Sequence, residues 1–308
     1  MSKKLLSVAI AAAMVSPVAA MADTTLYGKV DNYLQSSDTA SSDDWGINNN
    51  SSRLGVKVSE DLGNGITAIA QIEMLIDTSE EALSTTSAAT GNRLGFVGLT
   101  GGFGTFVMGR LGSPFASSVN KADIMNVLGS DWATDAAGRD RYGETMAYVS
   151  PNMSGFSATV AMVSSQTSLS VDDDINDALI LALDYNSGPL SVGFALRDGD
   201  MSAAGDDGLN EWGLGLSYDF GNFAVMAEYE DNKDTAEAWG LAATASFGNN
   251  TVLAQYGESE SDAGANIAEV FALGFHHSLS KRTFAYAEYS DEDVSDTQTF
   301  VVGLSHSF

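Results

Sequence analysis

Basic side chains are scarce in this sequence, and most fall at spacings that place them on one face of a β-strand. The 308 residues contain 14 Lys and Arg against 41 Asp and Glu. Because side chains alternate between the two faces of a strand, Arg53 and Lys57 would share one face opposite Leu54 and Val56. Cations gathered on one wall of a water-filled space would attract anions and orient polar molecules. Four more basic residues of the first half, mostly at predicted inward positions, extend this set: Lys29, Arg93, Arg110 and Arg141.

The predicted orientation of the later arginines depends on the alternation of their own strands. Arg93 is predicted to face inward, with Leu94 and Phe96 facing outward. Arg141 faces inward if Tyr148 faces outward.

Other residue types with catalytic or metal-binding potential give weaker signals. The three histidines are His276, His277 and His306. Adjacent strand positions point to opposite faces, so His276 and His277 cannot share a tetrahedral metal site, and His277 beside Ser278 is weak support for a hydrolytic triad. The acidic run at 172–174 could bind Ca²⁺ or Mg²⁺, although like-charge runs usually stay hydrated. We therefore expect no cofactor, with calcium or magnesium at the acidic external loops as the alternative.

The N-terminal segment has the features of a cleavable secretory signal peptide. Two lysines precede a short apolar stretch at 5–13, and the small residues Ala20 and Ala22 suit signal peptidase. We predict a signal peptide at 1–22 and a single domain at 23–308. Because the signal peptide contains no acid, the mature chain would be more acidic than the net charge of −27 of the whole sequence. This charge argues against binding to nucleic acid.

The rest of the sequence divides into segments of roughly ten residues with alternating hydrophobicity, the dyad pattern of membrane-spanning strands. No later stretch offers the ~20 apolar residues that a membrane-spanning helix needs. We predict an all-β fold, a transmembrane antiparallel β-barrel of sixteen strands. The predicted strands are 24–36, 51–61, 65–77, 91–101, 103–111, 140–151, 154–164, 176–187, 189–199, 209–220, 222–232, 236–247, 250–260, 266–278, 282–291 and 297–308.

The connections between these strands alternate between tight and long. Tight connections, such as 61–65 and 151–155, contain the Gly, Asn and Pro that hairpin turns need. Long connections carry acidic residues, for example at 172–174 and 291–293. Barrels of this type have short periplasmic turns and long external loops, so the acidic end is predicted to face outward. An even number of strands then places both termini in the periplasm.

Several short motifs resemble one known family when taken together. They are Leu26-Tyr27-Gly28-Lys29, Ser52-Arg53-Leu54-Gly55, Arg93-Leu94-Gly95-Phe96-Val97-Gly98-Leu99, Gly109-Arg110 and Gly303-Leu304-Ser305-His306-Ser307-Phe308. The chain resembles the Gram-negative general porins over essentially its whole mature length. The resemblance implies a homotrimer of outer-membrane barrels, each with a long third external loop folded inward as a constriction. The terminal Phe308, preceded by apolar residues at alternate positions, resembles the signal read by the barrel-assembly machinery.

One connection fits the role of the inward loop. Residues 112–139 form the longest gap between predicted strands, and so long a loop is usually functional. Under the family resemblance, the early basic residues form a wall that faces this loop, and Asp123, Asp131 and Asp135 are the candidates for the opposing charge. Opposed rows of charge create a transverse field that favours polar over apolar solutes.

The sequence therefore predicts an outer-membrane channel, not an enzyme, for passive diffusion of ions and small hydrophilic solutes. Its expected partners are two further copies of the chain, membrane lipid and lipopolysaccharide, and the assembly machinery. The alternatives are a solute-specific channel of the same fold, a barrel-embedded hydrolase that uses His276 and His277, and a closed structural barrel. Each arginine could also simply pair with a carboxylate of the barrel wall. The acidic external loops favour cations, and the basic wall favours anions if it dominates at the narrowest point.

Overall fold

The computed structural model describes seven stretches of the chain, 22–39, 42–79, 92–129, 141–164, 178–199, 211–233 and 236–308. The proposed signal peptide at 1–22 lies outside them except for its last residue, and its cleavage stays a prediction.

Seventeen strands and one short helix make up the regular structure of these stretches. The strands of the first half are β1 (Asp23–Thr39), β2 (Ser42–Asn49), β3 (Arg53–Gly63), β4 (Ile66–Leu75), β5 (Asn92–Gly101), β6 (Gly104–Gly112), β7 (Arg141–Val149) and β8 (Phe156–Val163). Those of the second half are β9 (Ala178–Ser187), β10 (Leu190–Gly199), β11 (Glu211–Asp219), β12 (Phe223–Asn232), β13 (Ala236–Phe247), β14 (Asn250–Ser261), β15 (Asn266–Ser278), β16 (Thr283–Glu292) and β17 (Thr297–Ser307). The helix is α1 (Pro114–Val119).

The strands form one closed antiparallel barrel, because β1 pairs with β17. β2 and β3 both pair with β1, over residues 32–39 and 23–29 of that strand. They are thus two parts of one interrupted strand, and the barrel has the sixteen strand positions that the sequence predicts.

Residues 50–52 interrupt this strand. Ser51 has a φ of 50°, outside the extended region. The backbone N–H of Asn50 donates to the carbonyl oxygen of Asp31 at 2.8 Å, and the N–H of Asp31 donates to the Ser52 hydroxyl at 2.9 Å. One backbone bond and one side-chain bond therefore satisfy the backbone groups of Asp31 where the ladder is interrupted. The prediction missed β2 because its polar sequence has little alternating hydrophobicity.

The two faces of the barrel differ in polarity. The outward face exposes large apolar side chains on most strands, including Leu214, Leu241 and Leu273. The last strand follows the predicted pattern, since Phe300, Val302, Leu304 and Phe308 are all exposed on this face. The backbones of Phe308 and Gly28 exchange two hydrogen bonds of 3.0 Å, so the terminal residue takes part in closing the barrel.

The predicted tight connections all lie at one end of the barrel, which we call the turn end. The turn between β3 and β4 shows the expected chemistry, since Asn64 and Gly65 have φ values of 53° and 76°. Consecutive positive φ values suit the type I′ turn, which matches the twist of a hairpin. The opposite end is called the loop end.

Helix α1 begins just after β6, where the chain turns from the wall. The hydroxyl of Ser113 accepts from the Ala116 N–H at 3.1 Å, and Pro114 occupies the first turn. Both features favour a helix start at this position. Within the described residues, no helix is long and apolar enough to cross a bilayer.

Candidate channel constriction

Residues 113–129, which we call the lumen segment, run along the inner face of the barrel from β9 to β16 and on to β1. Its first part is the most deeply packed, with Phe115 and Val119 fully buried. The Ser118 hydroxyl donates to Asp184 of β9 at 2.9 Å. Gly193 and Gly215 are paired across β10 and β11, and a side-chain carbon on either would overlap a backbone oxygen of Ser118 or Val119. The segment can approach the wall this closely because both positions lack a side chain.

Polar side chains of the wall hold the middle of the lumen segment. The Ala122 N–H donates to Glu228 of β12 at 2.6 Å. The amide of Gln255 on β14 accepts from the Ile124 N–H at 3.3 Å and donates to the Leu128 carbonyl at 3.1 Å. These three hydrogen bonds satisfy backbone groups of the lumen segment where it lies against the wall.

The carboxylate of Glu288 on β16 holds the far part of the segment. It accepts from three consecutive backbone N–H groups, those of Asn126, Val127 and Leu128, at 2.7, 2.9 and 3.2 Å. His276 Nε2 lies 2.8 Å from the same carboxylate. Glu288 is fully buried, so the cost of burying its charge is offset by four hydrogen-bonding contacts.

Asp31 connects the lumen segment to β1, the strand that closes the barrel by pairing with β17. Its carboxylate is wholly buried and accepts from the Tyr286 hydroxyl at 2.7 Å and from the Asn50 and Asn126 side-chain amides at 3.1 and 3.2 Å. Lys29 Nζ lies 2.9 Å away. Lys29, a candidate for the basic wall, is thus paired with a buried acid.

Arg53, Arg93 and Glu73 form a second charged group on the early strands. Arg93 Nε lies 2.7 Å from one carboxylate oxygen of Glu73, and Arg53 Nε lies 3.9 Å from the other. The Tyr27 hydroxyl donates to Glu73 at 2.8 Å. The ring of Tyr27 lies over Gly55, where a side chain would collide with it. The glycine in the Arg53–Gly55 motif therefore lets Tyr27 reach the acid.

An open cavity of 460 Å³ separates this group from the start of the lumen segment. The wall contributes Arg53, Arg93, Glu73 and Arg141 to its lining. Among the described residues, the lumen segment contributes one further charged side chain, Asp123, together with polar groups of α1 and Asn120. Charged groups of both signs therefore face one another across a space large enough for a small hydrated solute.

Arg93 reaches the cavity through a β-bulge and not through simple alternation. Glu73 pairs with Leu94 and Met74 pairs with Asn92, so Arg93 is an extra residue between them. Leu94 lines the cavity, and Phe96 pairs with the inward Gln71. The predicted outward orientation of Leu94 and Phe96 is therefore wrong, because a bulge changes the alternation on either side of it.

The other site candidates are distributed differently. Arg110 does not line the cavity; it lies at a register shift between β6 and β7, and its buried Nε has no hydrogen-bond partner among the described residues. Arg141 does line the cavity. Asp131 and Asp135 lie outside the described residues, as does the rest of the predicted loop from 130 to 139.

The sequence predictions missed the inward carboxylates. Asp31, Glu73, Glu228 and Glu288 were not candidates, although all of them organise this site. A signal was present for Glu73, which is the only acid in an otherwise apolar or neutral β4. Alternation along this apolar strand places Glu73 on the inward face, and that placement would have identified it as a candidate.

The adjacent histidines of β15 have different surroundings. His276 contacts Glu288, whereas His277 Nδ1 lies 2.7 Å from the side chain of Asn250. In the described part of the chain, no three His, Cys, Asp or Glu side chains are grouped as a metal site would need.

A closed barrel with an apolar outer face and polar side chains inside is the architecture of an outer-membrane barrel protein. The profile of the Gram-negative porins matches residues 8–297. The chain belongs to the Gram-negative porin family and is an outer-membrane protein.

Individual relatives agree with this assignment. The major outer membrane protein P.IB of Neisseria meningitidis serogroup B is 33% identical over 65% of this chain and 56% of its own length. The Neisseria lactamica protein of the same name is 34% identical over 52% of this chain and 49% of its own length. The chain thus spans about half the length of the curated relatives that it matches.

Solved structures match over more of the chain. The anion-selective porin from Comamonas acidovorans has a TM-score of 0.80 and 25% identity, covering 94% of this chain and all of that one. The Salmonella typhi OmpF complex with Daunomycin has the same TM-score and coverage of this chain at 16% identity, which shows the fold alone.

Proposed function

We propose that this protein is a diffusion channel for ions and small hydrophilic solutes, and that it favours anions at its narrowest region. The observation that supports this most directly is the 460 Å³ cavity between the arginines of the early strands and the lumen segment. Three arginines outnumber two carboxylates among the described residues that line it. The name of the relative from Comamonas acidovorans, an anion-selective porin, agrees with this preference.

The mechanism follows from fixed charges in a narrow aqueous space. Arg53, Arg93 and Arg141 on the wall and Asp123 on the lumen segment would produce a field across the path of the solute. Such a field orients water and dipolar solutes, while an apolar solute would have to displace oriented water without compensation. The lumen segment would set the width of the passage because its backbone is bonded to the wall.

Conductance of the purified protein in planar bilayers tests this function. We expect stepwise conductance and, in a salt gradient, a reversal potential that indicates anion preference. Arg53→Ala should lower the anion-to-cation permeability ratio by up to about thirty-fold, because one charge at roughly 4 Å in a water-like medium changes the anion and cation populations by about five-fold each, in opposite directions. Absence of conductance in the wild type would exclude the channel, and saturation of flux by one solute in liposome swelling would favour the solute-specific alternative.

We also propose the partners that the family resemblance implies. Three copies of the chain would form a trimer, which predicts conductance steps in groups of three. The acidic loop end would lie among lipopolysaccharide molecules, where calcium or magnesium could bridge carboxylates and phosphates. The strand that ends at Phe308 would be read by the barrel-assembly machinery, and both termini would lie in the periplasm.

A further inference from the structure

The inner face of the barrel has another cavity, which lies on the turn-end side of the arginine-rich one. Its volume is 310 Å³, and the two cavities share no lining residue. We propose that this cavity is a binding site for a small carboxylate with an apolar body, such as an aromatic monocarboxylate. The proposal rests on the channel function proposed above, since such a ligand would meet the site on its way through the lumen.

Strand pairing gives this cavity two neighbouring rows of inward side chains. Lys57 on β3 pairs with Gln71 on β4, which in turn pairs with Phe96 on β5. Two residues nearer the turn end, Ser59 of β3 pairs with Ile69 of β4. Paired residues of antiparallel strands point to the same face, and all five residues line the cavity.

Phe96 and Ile69 give this part of the lumen an apolar surface. The inner face of a channel barrel is normally polar, because water fills it. Both side chains are only partly buried, and both border the cavity. The apolar part of a ligand that covered them would remove this surface from water, which favours binding.

Lys57 gives the cavity its positive charge. Its side chain is exposed, and Nζ lies 4.8 Å from the centre of the Tyr27 ring. No carboxylate of the described residues forms an ion pair with Lys57, in contrast with the pairs that Lys29 and Arg93 form. An ammonium group without an acid partner, beside an apolar surface, is complementary to a carboxylate that carries an apolar body.

Asp23 also lines the cavity, but on the side away from the apolar surface. It pairs with Ser59 from β1, whereas Ile69 pairs with Ser59 from β4. Neighbouring strands lie about 4.8 Å apart, so a ligand whose body covers Ile69 and Phe96 reaches β3 before it reaches β1. Its charged end would therefore meet Lys57 before Asp23, and this order favours an anion over a cation.

Fluorine NMR titration of the purified protein with para-fluorobenzoate measures binding without any need for conductance. We expect a saturable change of the fluorine signal with the wild type. Lys57→Gln should weaken binding by about five-fold, the factor for one charge at roughly 4 Å in a water-like medium. Phe96→Ala should weaken it by a similar factor, because about 40 Å² of covered apolar surface corresponds to roughly five-fold in affinity.

Matched controls separate the charge and the apolar surface from general changes in the barrel. Lys57→Arg keeps the charge and should bind within about two-fold of the wild type. Lys281→Gln makes the same change as Lys57→Gln in the turn between β15 and β16, outside the cavity lining, and should leave binding unchanged. Two further probes, para-fluorobenzylamine with the opposite charge and fluoroacetate without the ring, should each bind the wild type about five-fold more weakly or worse.

The outcomes also separate this inference from the channel function. Equal binding of para-fluorobenzoate by the wild type and Lys57→Gln would overturn the proposal, and so would tighter binding of para-fluorobenzylamine. The comparison of probes uses the wild type alone, so it still decides the matter if a variant fails to assemble. A wild type that conducts but shows no saturable binding would refute the site. Failure of the channel function would instead appear as a wild type that binds the probe and does not conduct.

Discussion

The inner surface of the barrel consists of two walls that use polar side chains in different ways. On the early wall, formed by β3, β4, β5 and β7, Arg53, Arg93 and Glu73 contact one another and border an open cavity. On the late wall, formed by β9 to β16, Glu228, Gln255 and Glu288 contact backbone groups of the lumen segment. Inward strand positions therefore line an open cavity where they are uncovered, and they position the lumen segment where they are covered.

This difference predicts which measurements respond to substitution. Arg53 keeps 31% of its side-chain surface exposed at the cavity, and ion pairs open to solvent contribute little to stability, so its substitution should mainly alter selectivity. Buried donors that lose their acceptors cost the full desolvation of those groups. Changes on the late wall should therefore mainly release the lumen segment, and hydrogen exchange of its backbone amides measures that release directly.

Glu288→Ala should give the largest effect on the late wall. It removes the acceptor of three backbone N–H groups at 126–128. We expect a loss of about 3 kcal/mol or more in the local stability of the segment, which corresponds to amide exchange about a hundred-fold faster. Hydrogen exchange followed by mass spectrometry on the peptide that contains these residues measures it.

The matched control for Glu288→Ala is Glu237→Ala on β13. Glu237 is exposed and accepts from the Tyr229 hydroxyl on the outward face. Its loss should leave the exchange of residues 126–128 unchanged. Equal acceleration in both variants would show that the barrel as a whole had loosened and would remove the distinction between the two walls.

Gly193→Ala should have a smaller effect at the other end of the segment. The added carbon would overlap the carbonyl oxygen of Ser118, which is backbone and can move only with α1. Such overpacking typically costs about 1–3 kcal/mol, so we expect exchange of the α1 amides to accelerate by roughly ten-fold or more. Gly102→Ala is the control, because nothing lies within 4 Å of the added carbon there. Unchanged exchange in Gly193→Ala would mean that the segment does not need this close approach.

Most of the strand pattern could be predicted from the sequence because most strands have one apolar face and because every second connection is a recognisable tight turn. The Asn64–Gly65 turn and the alternating Phe300, Val302 and Leu304 are local signals, and both agree with the structure. The membrane requires such a face on every strand, so the signal recurs along the chain.

The details that depend on irregular backbone or on distant partners could not be predicted in this way. The bulge at Arg93 reverses the predicted orientation of Leu94. No residue type near Arg93 predicts a bulge there. Glu288 meets residues 126–128 across more than 150 positions of sequence, so its role follows only from the closed barrel. The roles of Asp131 and Asp135 stay predictions.

Ser113→Ala should give the smallest of these effects. It separates the stability of α1 from the charge of the early wall. Ser113 lines the cavity, as the arginines do, yet its hydroxyl serves as the N-cap of α1 by accepting from the Ala116 N–H. Loss of an N-cap costs about 1 kcal/mol, so exchange of the Ala116 amide should accelerate by roughly five-fold. Selectivity should not change, because the hydroxyl carries no charge. Ser157→Ala on β8 is the control for both measurements. A shift in reversal potential with Ser113→Ala would mean that the position of α1, and not only the charge of the early wall, determines which ions pass.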